Sequence, residues 1–427
     1  MKLLVFAHTP PPHHGQSYMV QLMLDGFGGD RRRQRGPAGG VASDIECYHV
    51  NTRLSPKLQD IGDVRLGKLV LLLGYCLQAV WCRFRYGVKT FYYIPAPGKR
   101  SALYRDWLVM FICRPFFKTI ILHWHAAGLA KWLETAVQMR WRSATYHFMK
   151  NVDLSIVLSK YNRADAEKIF SRQIRVVSNG IPDPCPEFPS KVLPRRRARF
   201  EARKKLLSGV GLQERDFESS GGDPHLLKVL YLAHCTRQKG LFDTLEGVLL
   251  AEQRLAEWHS PISLRLYVAG TFVSREEKVE FDSLASRPGA TGLVECLGFV
   301  AGEQKDQLFR EADLFCFPTY YQNENQPVNL IEAMAFGLPI LTTRWRSIPE
   351  LFAEGYPGLV AIRSPEEIAT AILAVMGAEN GECFRDAFLR DFTLERHLAG
   401  LSAAFHQCGQ PSPPVAMAAT TSGGRIS

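Results

Sequence analysis

Two glutamates lie eight positions apart at the start of an apolar segment. Glu332 is the one residue from Leu330 to Leu341 that is neither apolar nor Gly or Pro, and Glu324 precedes it. A carboxylate in such a run is costly to bury unless a partner completes its hydrogen bonds. The pattern therefore predicts that a polar ligand meets Glu332 and that Glu324 holds another part of the same ligand.

A helix end between the two glutamates could bind a phosphate. Asn325 or Gln326 can cap a helix, and Pro327 fits its first turn. The free N–H groups of Val328 and Asn329 would then point out of the N-terminus, where they favour an anion. Two carboxylates around a phosphate-sized site suit the hydroxyl groups at the two ends of a nucleoside diphosphate sugar.

Short apolar runs alternate with amphipathic segments along both halves of the chain. The runs predicted as strands are KLLVFAH, TFYYIPA, TIILHWH, DLSIVLS and IRVVSNG in the first half, and KVLYLAH, LRLYVAG, VECLGFV, DLFCFPT, LPILTT and GLVAIR in the second. Continuous apolar strands separated by helices indicate parallel sheets that are covered on both faces. We therefore expect an α/β fold of two doubly wound, Rossmann-like domains that face each other across a cleft.

Shifts in composition suggest where the parts of the chain begin and end. We predict a first domain over residues 1–185, a basic and polar linker insertion over 186–225, a second domain over 226–378, C-terminal helices over 379–408 that pack back on the first domain, and a disordered tail over 409–427. The tail prediction depends on its Pro, Ser and Gly content.

Three further residues lie near predicted strand ends, where ligands of such sheets bind. Lys239 follows a strand and precedes Gly240, His125 precedes three small residues that leave room for a ligand, and Gly15 lies in the first loop. Each has a structural alternative. Lys239 could be a solvated lysine, His125 could have a structural role, and Gly15 could be only a loop glycine.

Bulk composition narrows the class of partner. The 427 residues carry a net charge of +10, which suits a nucleotide, a phospholipid surface or nucleic acid. No recognition module or interleaving of aromatic and basic residues supports nucleic acid. The ten cysteines include no CxxC pair, so neither a zinc site nor a disulfide framework is indicated, and a reducing cytosol is the simpler compartment.

Apolar and basic stretches bear on contact with a membrane. The run from Leu3 to Ala7 is too short for a signal peptide, and the run over 69–81 is predicted as a core helix rather than a membrane contact. Two basic clusters, 31–35 and 195–205, leave two interpretations open. Seven of the eleven residues from 195 to 205 are basic, which fits either a solvated helix face or attachment to an anionic membrane.

The spacing of Glu324 and Glu332 resembles the E-x7-E motif of the retaining GT-B glycosyltransferases of family 4. The segment LFREADLFCFPTYYQNENQPVNLIEAMAFGLPILTTRWRSIPEL is similar to that family's donor-binding segment almost throughout. PPPHHGQSYMV, HWHAAGL, VVSNGIPD and LAHCTRQKGLFDTLEGV match other segments of the family in order. The resemblance covers most of the chain and implies a GT-B fold, with an acceptor-side first domain and a second domain that binds the nucleotide-sugar.

The resemblance also implies roles for individual residues. Glu324 would contact the transferred sugar and His125 would lie near it, so these two are the implied catalytic residues, while Glu332 would contact the ribose. The remaining implied donor-binding residues are Lys239, Arg237, Gly15, Val328, Asn329 and Val300, the last presenting backbone to the base together with Gly298. The family often has Gly-Arg where this chain has His234. Arg237 could supply the missing charge, or Lys239 could suffice alone.

The expected chemistry is transfer of a sugar without a metal. The chain has no DxD motif, which argues against a metal-chelating sugar transferase. The leaving diphosphate would be stabilised by the helix end and by Lys239, and no cofactor and no divalent metal are expected. Retention at the anomeric carbon follows from the resemblance, and the leaving phosphate would assist deprotonation of the acceptor.

Two other classes of function compete with this hypothesis. One is a non-catalytic protein on the same scaffold that binds a nucleotide-sugar or polysaccharide. The other is a nicotinamide-dependent oxidoreductase, which is disfavoured because no G-x-G-x-x-G follows the first strand.

The sequence predicts the acceptor less closely than the donor. Apolar helices predicted over 69–81 and 103–117, with the basic clusters, favour a glycan or lipid-linked acceptor presented at a membrane, such as a growing surface polysaccharide. We therefore expect a cytoplasmic protein that makes peripheral contact with an anionic membrane on its cytoplasmic face, with no nucleic-acid partner.

Overall fold

The first half of the chain forms a six-stranded parallel sheet. Its strands are β1 (Lys2–Ala7), β2 (Glu46–Asn51), β3 (Thr90–Tyr93), β4 (Thr119–Trp124), β5 (Leu154–Val157) and β6 (Ile174–Val176). They lie in the order β2-β1-β3-β4-β5-β6, so the direction of winding reverses between β1 and β3. Leu4 of β1 pairs with Tyr48 on one side and Phe91 on the other.

Helices cover both faces of this sheet, which is why its strands are apolar on both sides. They are α1 (Gly15–Gly26), α2 (Leu66–Tyr86), α3 (Arg100–Cys113), α4 (Leu129–Ala136), α5 (Met139–Met149) and α6 (Arg163–Lys168). The buried core on one face joins β1 to α2 and α3, and the core on the other face joins β1 to α1. Two further helices follow, α7 (Leu193–Leu207) and α8 (Glu214–Ser220).

The second half forms another six-stranded parallel sheet with its own core. Its strands are β7 (Leu226–Leu232), β8 (Ser263–Ala269), β9 (Val294–Gly298), β10 (Leu314–Phe317), β11 (Ile340–Thr343) and β12 (Leu359–Val360). Its helices are α9 (Leu241–Glu257), α10 (Arg275–Ala285), α11 (Gly302–Glu311), α12 (Val328–Ala335) and α13 (Pro365–Val375). The strand order is β12-β11-β10-β7-β8-β9, which opens a crevice at the carboxyl ends of β7 and β10.

Two helices end the described chain, and they pack on different domains. The helix α14 (Gly381–Asp391) packs on α12, and α15 (Leu394–Gln407) packs on α1. Leu401 and Phe405 of α15 lie in the same core as Leu3 and Val5 of β1.

This computed structural model describes residues 1–11, 14–33, 44–54, 66–375 and 381–408. The predicted tail over 409–427 and the end of the first basic cluster at Arg35 lie outside the described residues.

The expected architecture of two Rossmann-like domains is confirmed, with one strand and one helix predicted wrongly. The segment ECYHVN, which forms β2, carries polar residues, and the sequence did not mark it as a strand. The helix over 69–81 is not a core helix. Only one face of α2 is buried, and Leu77, Trp81 and Phe84 are more than half exposed.

The basic segment over 195–205 follows neither of its two interpretations throughout. It lies in α7, where Arg199 and Arg203 are buried against Asp313 of the second domain at 3.3 and 2.7 Å. Arg196 donates to the carbonyls of Phe336 and Gly337 at 2.7 and 2.6 Å. These three arginines are bound inside the protein, whereas Arg195, Arg197 and Lys204 are exposed.

Candidate functional site

The loops after β7 and β10 meet at the crevice of the second sheet. Lys239 ends a short 3-10 turn over Arg237–Lys239, and the Thr236 side chain caps this turn by accepting from the Lys239 amide. Gly240 follows with φ of +81°, and a Cβ there would lie 2.3 Å from the Pro318 carbonyl oxygen. A glycine is therefore required where the Lys239 turn presses on the loop after β10.

Glu324 is held by a cation and a hydroxyl. Its Oε2 accepts from Lys239 Nζ at 2.6 Å and from Thr319 Oγ1 at 3.0 Å. The Glu324 side chain is buried, and Lys239 Nζ also lies 4.7 Å from the centre of the Tyr321 ring. The sequence analysis brought Glu324 and Lys239 to one site, and the structure places them in direct contact.

Glu332 is paired with a lysine that the sequence analysis missed. Its Oε1 accepts from Lys305 Nζ of α11 at 2.5 Å. Lys305 therefore supplies one hydrogen bond to Glu332, and the ligand predicted for this carboxylate would complete the others. The available signal was the position of Lys305 in the first turns of a helix that follows a strand of the same sheet.

The N-terminus of α12 lies between these two ion pairs in sequence and faces the first domain. Pro327 occupies its N-cap position, and a Cβ on Gly15 of α1 would lie 3.5 Å from Val328 Cγ2. Asn329 donates its side-chain amide to the carbonyl of Leu232 at 2.9 Å, which ties α12 to the end of β7. Gly15, Val328 and Asn329 therefore lie at one place in the cleft.

His125 belongs to a group of imidazoles at the carboxyl edge of the first sheet. Its ring centre lies 4.3 Å from that of His123, and His14 and His397 are close enough to act on its charge. Burial, then His397 and His14, lower the pKa of His125 to about 3. Burial likewise lowers the pKa of His397 to about 4. His125 is therefore a neutral imidazole near pH 7, suited to hydrogen bonding rather than to carrying a charge.

Hydrogen bonds join the two domains next to Glu324. Asn325 is buried and donates to the Trp124 carbonyl at 3.2 Å and to Asn162 Oδ1 at 2.7 Å. Gln326 accepts from the Asn179 amide at 2.5 Å. These bonds link the loop that carries Glu324 to the strand end that precedes His125.

Arg346 and Glu350 make further contacts between the domains. Arg346 donates to the Ala127 carbonyl at 3.0 Å. Glu350 accepts from the amides of Lys160 and Tyr161 at 2.7 and 2.6 Å. The cleft is therefore narrow on the side of residues 124–128.

The side chains of two predicted donor-binding residues do not contact the Lys239–Glu324 pair. Arg237 turns toward α10, where it pairs with Glu280 at 2.5 Å and stacks 4.0 Å from the Phe242 ring centre. The side chain of Val300 packs in the core of the second domain beyond the end of β9, whereas the role predicted for Val300 belongs to its backbone. Burial, and then the charge of Lys239, lower the pKa of His234.

No group of three or more His, Cys, Asp or Glu side chains that could hold a metal ion occurs among the described residues. The charged groups described at this site are ion pairs, Lys239 with Glu324 and Lys305 with Glu332.

Part of the second domain is similar to known glycosyltransferases. Residues 227–377 match the family model described as Glycosyl transferases group 1. Over 154 residues, 35% of each chain, the sequence is 27% identical to the amylovoran biosynthesis glycosyltransferase AmsK of Erwinia amylovora. Over 156 residues, 36% of each chain, it is 28% identical to the putative colanic acid biosynthesis glycosyltransferase WcaL of Escherichia coli strain K12. The matched stretch spans about a third of the length of these relatives.

The whole fold is similar to solved structures. A crystal structure of Anabaena HepE in complex with UDP and glucose matches with a TM-score of 0.58 at 15% identity, covering 94% of this chain and 99% of that one. Sucrose-phosphate synthase from Thermosynechococcus elongatus matches with a TM-score of 0.62 at 16% identity, covering 95% and 99%. These likenesses establish the GT-B type of fold.

Proposed function

We propose that this protein is a glycosyltransferase that moves a sugar from a nucleoside diphosphate sugar to a hydroxyl of a glycan or lipid-linked acceptor, in the synthesis of a surface polysaccharide. The observation that carries the proposal is the Lys239–Glu324 pair at the crevice of the second sheet, in the loops that lead to the N-terminus of α12. The matched relatives named for amylovoran and colanic acid biosynthesis support the class of product.

The donor would lie along the N-terminus of α12. Its diphosphate would take Lys239 and the amides of Val328 and Asn329, because a cation and a helix N-terminus both stabilise phosphate. Glu324 would then be released from Lys239 to hold the transferred sugar, and Glu332 would hold the ribose. His125, as a neutral imidazole, would donate or accept a hydrogen bond at the reacting sugar.

The proposed transfer is metal-independent and retains the configuration of the anomeric carbon. Charge that develops on the leaving diphosphate would be stabilised by Lys239 and the helix N-terminus. The departing phosphate would take the proton of the attacking hydroxyl, which needs no separate protein base. The stereochemistry can be measured by NMR of the anomeric proton in the first product formed.

A panel of nucleoside diphosphate sugars tests the class of function. Thermal stabilisation and slow hydrolysis of one donor, unchanged by EDTA, are the expected results. Donor binding with neither hydrolysis nor transfer to any acceptor would favour a non-catalytic protein that binds nucleotide-sugars. Stabilisation by no donor would contradict the proposal.

We further propose that the first domain contacts an anionic membrane on its cytoplasmic face. In α2, Val70, Leu77 and Phe84 form an exposed apolar row at helical spacing, and Phe111 of α3 adds to the same packed pair of helices. By length and composition alone, α2 could also cross a membrane, and 22% of its apolar window is buried. The exposed Arg85 at its end suits anionic lipid headgroups.

Vesicle flotation tests the membrane proposal. We expect the wild-type protein to float with vesicles that contain phosphatidylglycerol. A Leu77→Glu/Phe84→Glu variant should bind these vesicles at least about tenfold more weakly, because it places charges in the apolar face. Val279→Glu, at an equally exposed apolar site on α10, is the matched control and should bind like wild type. Equal flotation of all three proteins would refute the assignment of this face.

A further inference from the structure

Lys305 and Glu332 form a second ion pair at the candidate site, apart from Lys239 and Glu324. Lys305 is in the helix α11, which begins at Gly302 shortly after the end of β9. Its ammonium group lies 2.5 Å from Oε1 of Glu332, which is in the second turn of α12. The Lys305 and Glu332 side chains are 26% and 12% exposed, so the pair is mostly removed from water but open to the cleft.

The charges around this pair favour an oriented carboxylate. Burial has the largest single effect and lowers the pKa of Lys305, but Glu332, together with Asp306 and Tyr18, raises this pKa overall. Tyr18 of α1 reaches the same place from the first domain, and burial followed by Glu332 raises the pKa of its phenol. An ammonium and a neutral phenol therefore lie beside Glu332 near pH 7.

Only one oxygen of Glu332 is used by Lys305. Among the described residues, Oε2 of Glu332 accepts no hydrogen bond, whereas Oε1 accepts from Lys305. A carboxylate that is fixed through one oxygen presents the other in a defined direction, and an oriented charged acceptor forms a stronger hydrogen bond with a hydroxyl than a rotating one.

We propose that Lys305 is a positioning residue for ribose recognition. By holding Oε1 it directs Oε2 of Glu332 toward the ribose hydroxyls, and so makes the site prefer ribonucleotides to deoxyribonucleotides. The proposal rests on the proposed function, because it takes the ligand to be a nucleoside diphosphate sugar.

Dissociation constants measured by calorimetry test this role. The ligands are whichever of UDP, GDP and ADP stabilises the wild-type protein most, and its 2′-deoxy and 3′-deoxy analogues. We expect wild type to prefer the ribonucleotide by about tenfold, the size of a hydrogen bond to a charged group. In Lys305→Met, ribonucleotide affinity should fall about tenfold and come within about threefold of the deoxy analogues, whose own affinity should change little.

Four further variants make the test specific. They are Lys305→Arg, Glu332→Gln, the double variant Lys305→Met/Glu332→Gln, and Lys278→Met. Lys305→Arg keeps a cation and should restore most of the ribose preference, which also covers the case in which Lys305→Met does not fold. Adding Lys305→Met to Glu332→Gln should cost less than about threefold more, because the two residues act as one unit. Lys278→Met removes a lysine that pairs with Asp282 on the surface of α10 and should bind like wild type.

The two levels of the hypothesis fail in different ways. Equal weakening of ribonucleotide and deoxy analogues in Lys305→Met, as for a direct contact with phosphate, overturns the role of Lys305. A wild-type protein that binds the nucleotide but does not prefer ribose overturns it as well. A wild-type protein that binds none of the three nucleotides overturns the proposed function, and the ribose role with it.

Discussion

At the scale of single residues, both glutamates of the site are neutralised inside the protein. Glu324 is paired with Lys239 and Glu332 with Lys305. Removing one partner of a buried pair leaves an uncompensated charge, so each lysine stabilises the glutamate with which it is paired. An arriving diphosphate would compete with Glu324 for Lys239 and would free that carboxylate when the sugar is present.

Replacing Lys239 or Glu324 tests this exchange. We expect Lys239→Ala and Glu324→Ala each to lower kcat by at least about a hundredfold, the usual cost of losing a group that stabilises charge in the transition state. Initial rates of transfer or donor hydrolysis, with circular dichroism to verify folding, provide the measurement.

The matched control is Lys228→Ala. Lys228 lies on β7, near the opposite end of that strand from the site, and pairs with Glu311 at 3.0 Å. Its variant should keep near wild-type rates. Comparable losses in Lys228→Ala and Lys239→Ala would show that the effect is structural.

The sequence predicted the loops of the site better than the contacts within it. Lys239 was placed at a strand end and Glu324 in the loop before a helix, and the family resemblance assigned both to one donor. Lys305 was missed because an ion pair with Glu332, 27 positions away, depends on how two helices face each other. Arg237 was assigned to the phosphates by its loop, but it pairs with Glu280 of α10 instead.

At the scale of elements, α2 and α7 each behave against their composition. The apolar α2 exposes much of its surface, whereas the basic α7 buries several arginines. The reason in α7 is what it packs against. The last carbonyls of a helix lack hydrogen-bond donors within the helix. At the end of α12, Arg196 donates to such carbonyls. Composition alone could not reveal those partners, so the solvated and membrane-bound interpretations both failed for these arginines.

Replacing Arg203 tests how much α7 stabilises the second domain. Arg203 pairs with buried Asp313, and although burial raises the pKa of that carboxyl, Arg203 and Arg199 hold it at about 2. We expect Arg203→Met to lower the free energy of unfolding by about 3–5 kcal/mol, since it breaks a buried pair. Urea denaturation followed by tryptophan fluorescence provides the measurement.

A surface arginine of the same helix is the control for Arg203. Arg197 is exposed and pairs with Glu382, so Arg197→Met should cost less than about 1 kcal/mol. An Arg203→Met protein as stable as Arg197→Met would show that Arg203 of α7 does not stabilise the second domain.

At the scale of the whole molecule, the domains are held together beside the loop that carries Glu324. Asn325 follows Glu324 and bonds to both Trp124 and Asn162 of the first domain. Closing the cleft and orienting Glu324 therefore depend on the same short segment. Domain opening would remove the bonds of Asn325 to Trp124 and Asn162, so we expect the candidate site to be complete only in the closed arrangement.

Asn325→Ala should shift the molecule toward open forms. The lost hydrogen bonds to Trp124 and Asn162, at about 1 kcal/mol each, would favour opening by about thirtyfold. Small-angle X-ray scattering should then give a larger radius of gyration without ligand, and saturation with the donor should reduce it. Gln253→Ala, which removes a surface bond within α9, should not change the radius. An unchanged radius in Asn325→Ala would contradict the role of this residue in closure.

The position of α15 has a consequence for how the chain is made. Leu401 and Phe405 of this last described helix complete the same core as β1, which leaves the ribosome long before them. The second domain has a separate core and needs neither residue. During synthesis, the first domain must therefore wait for the C-terminal helix with part of its sheet uncovered, while the second domain can finish earlier. The half of the protein that is translated first is thus the half that matures last.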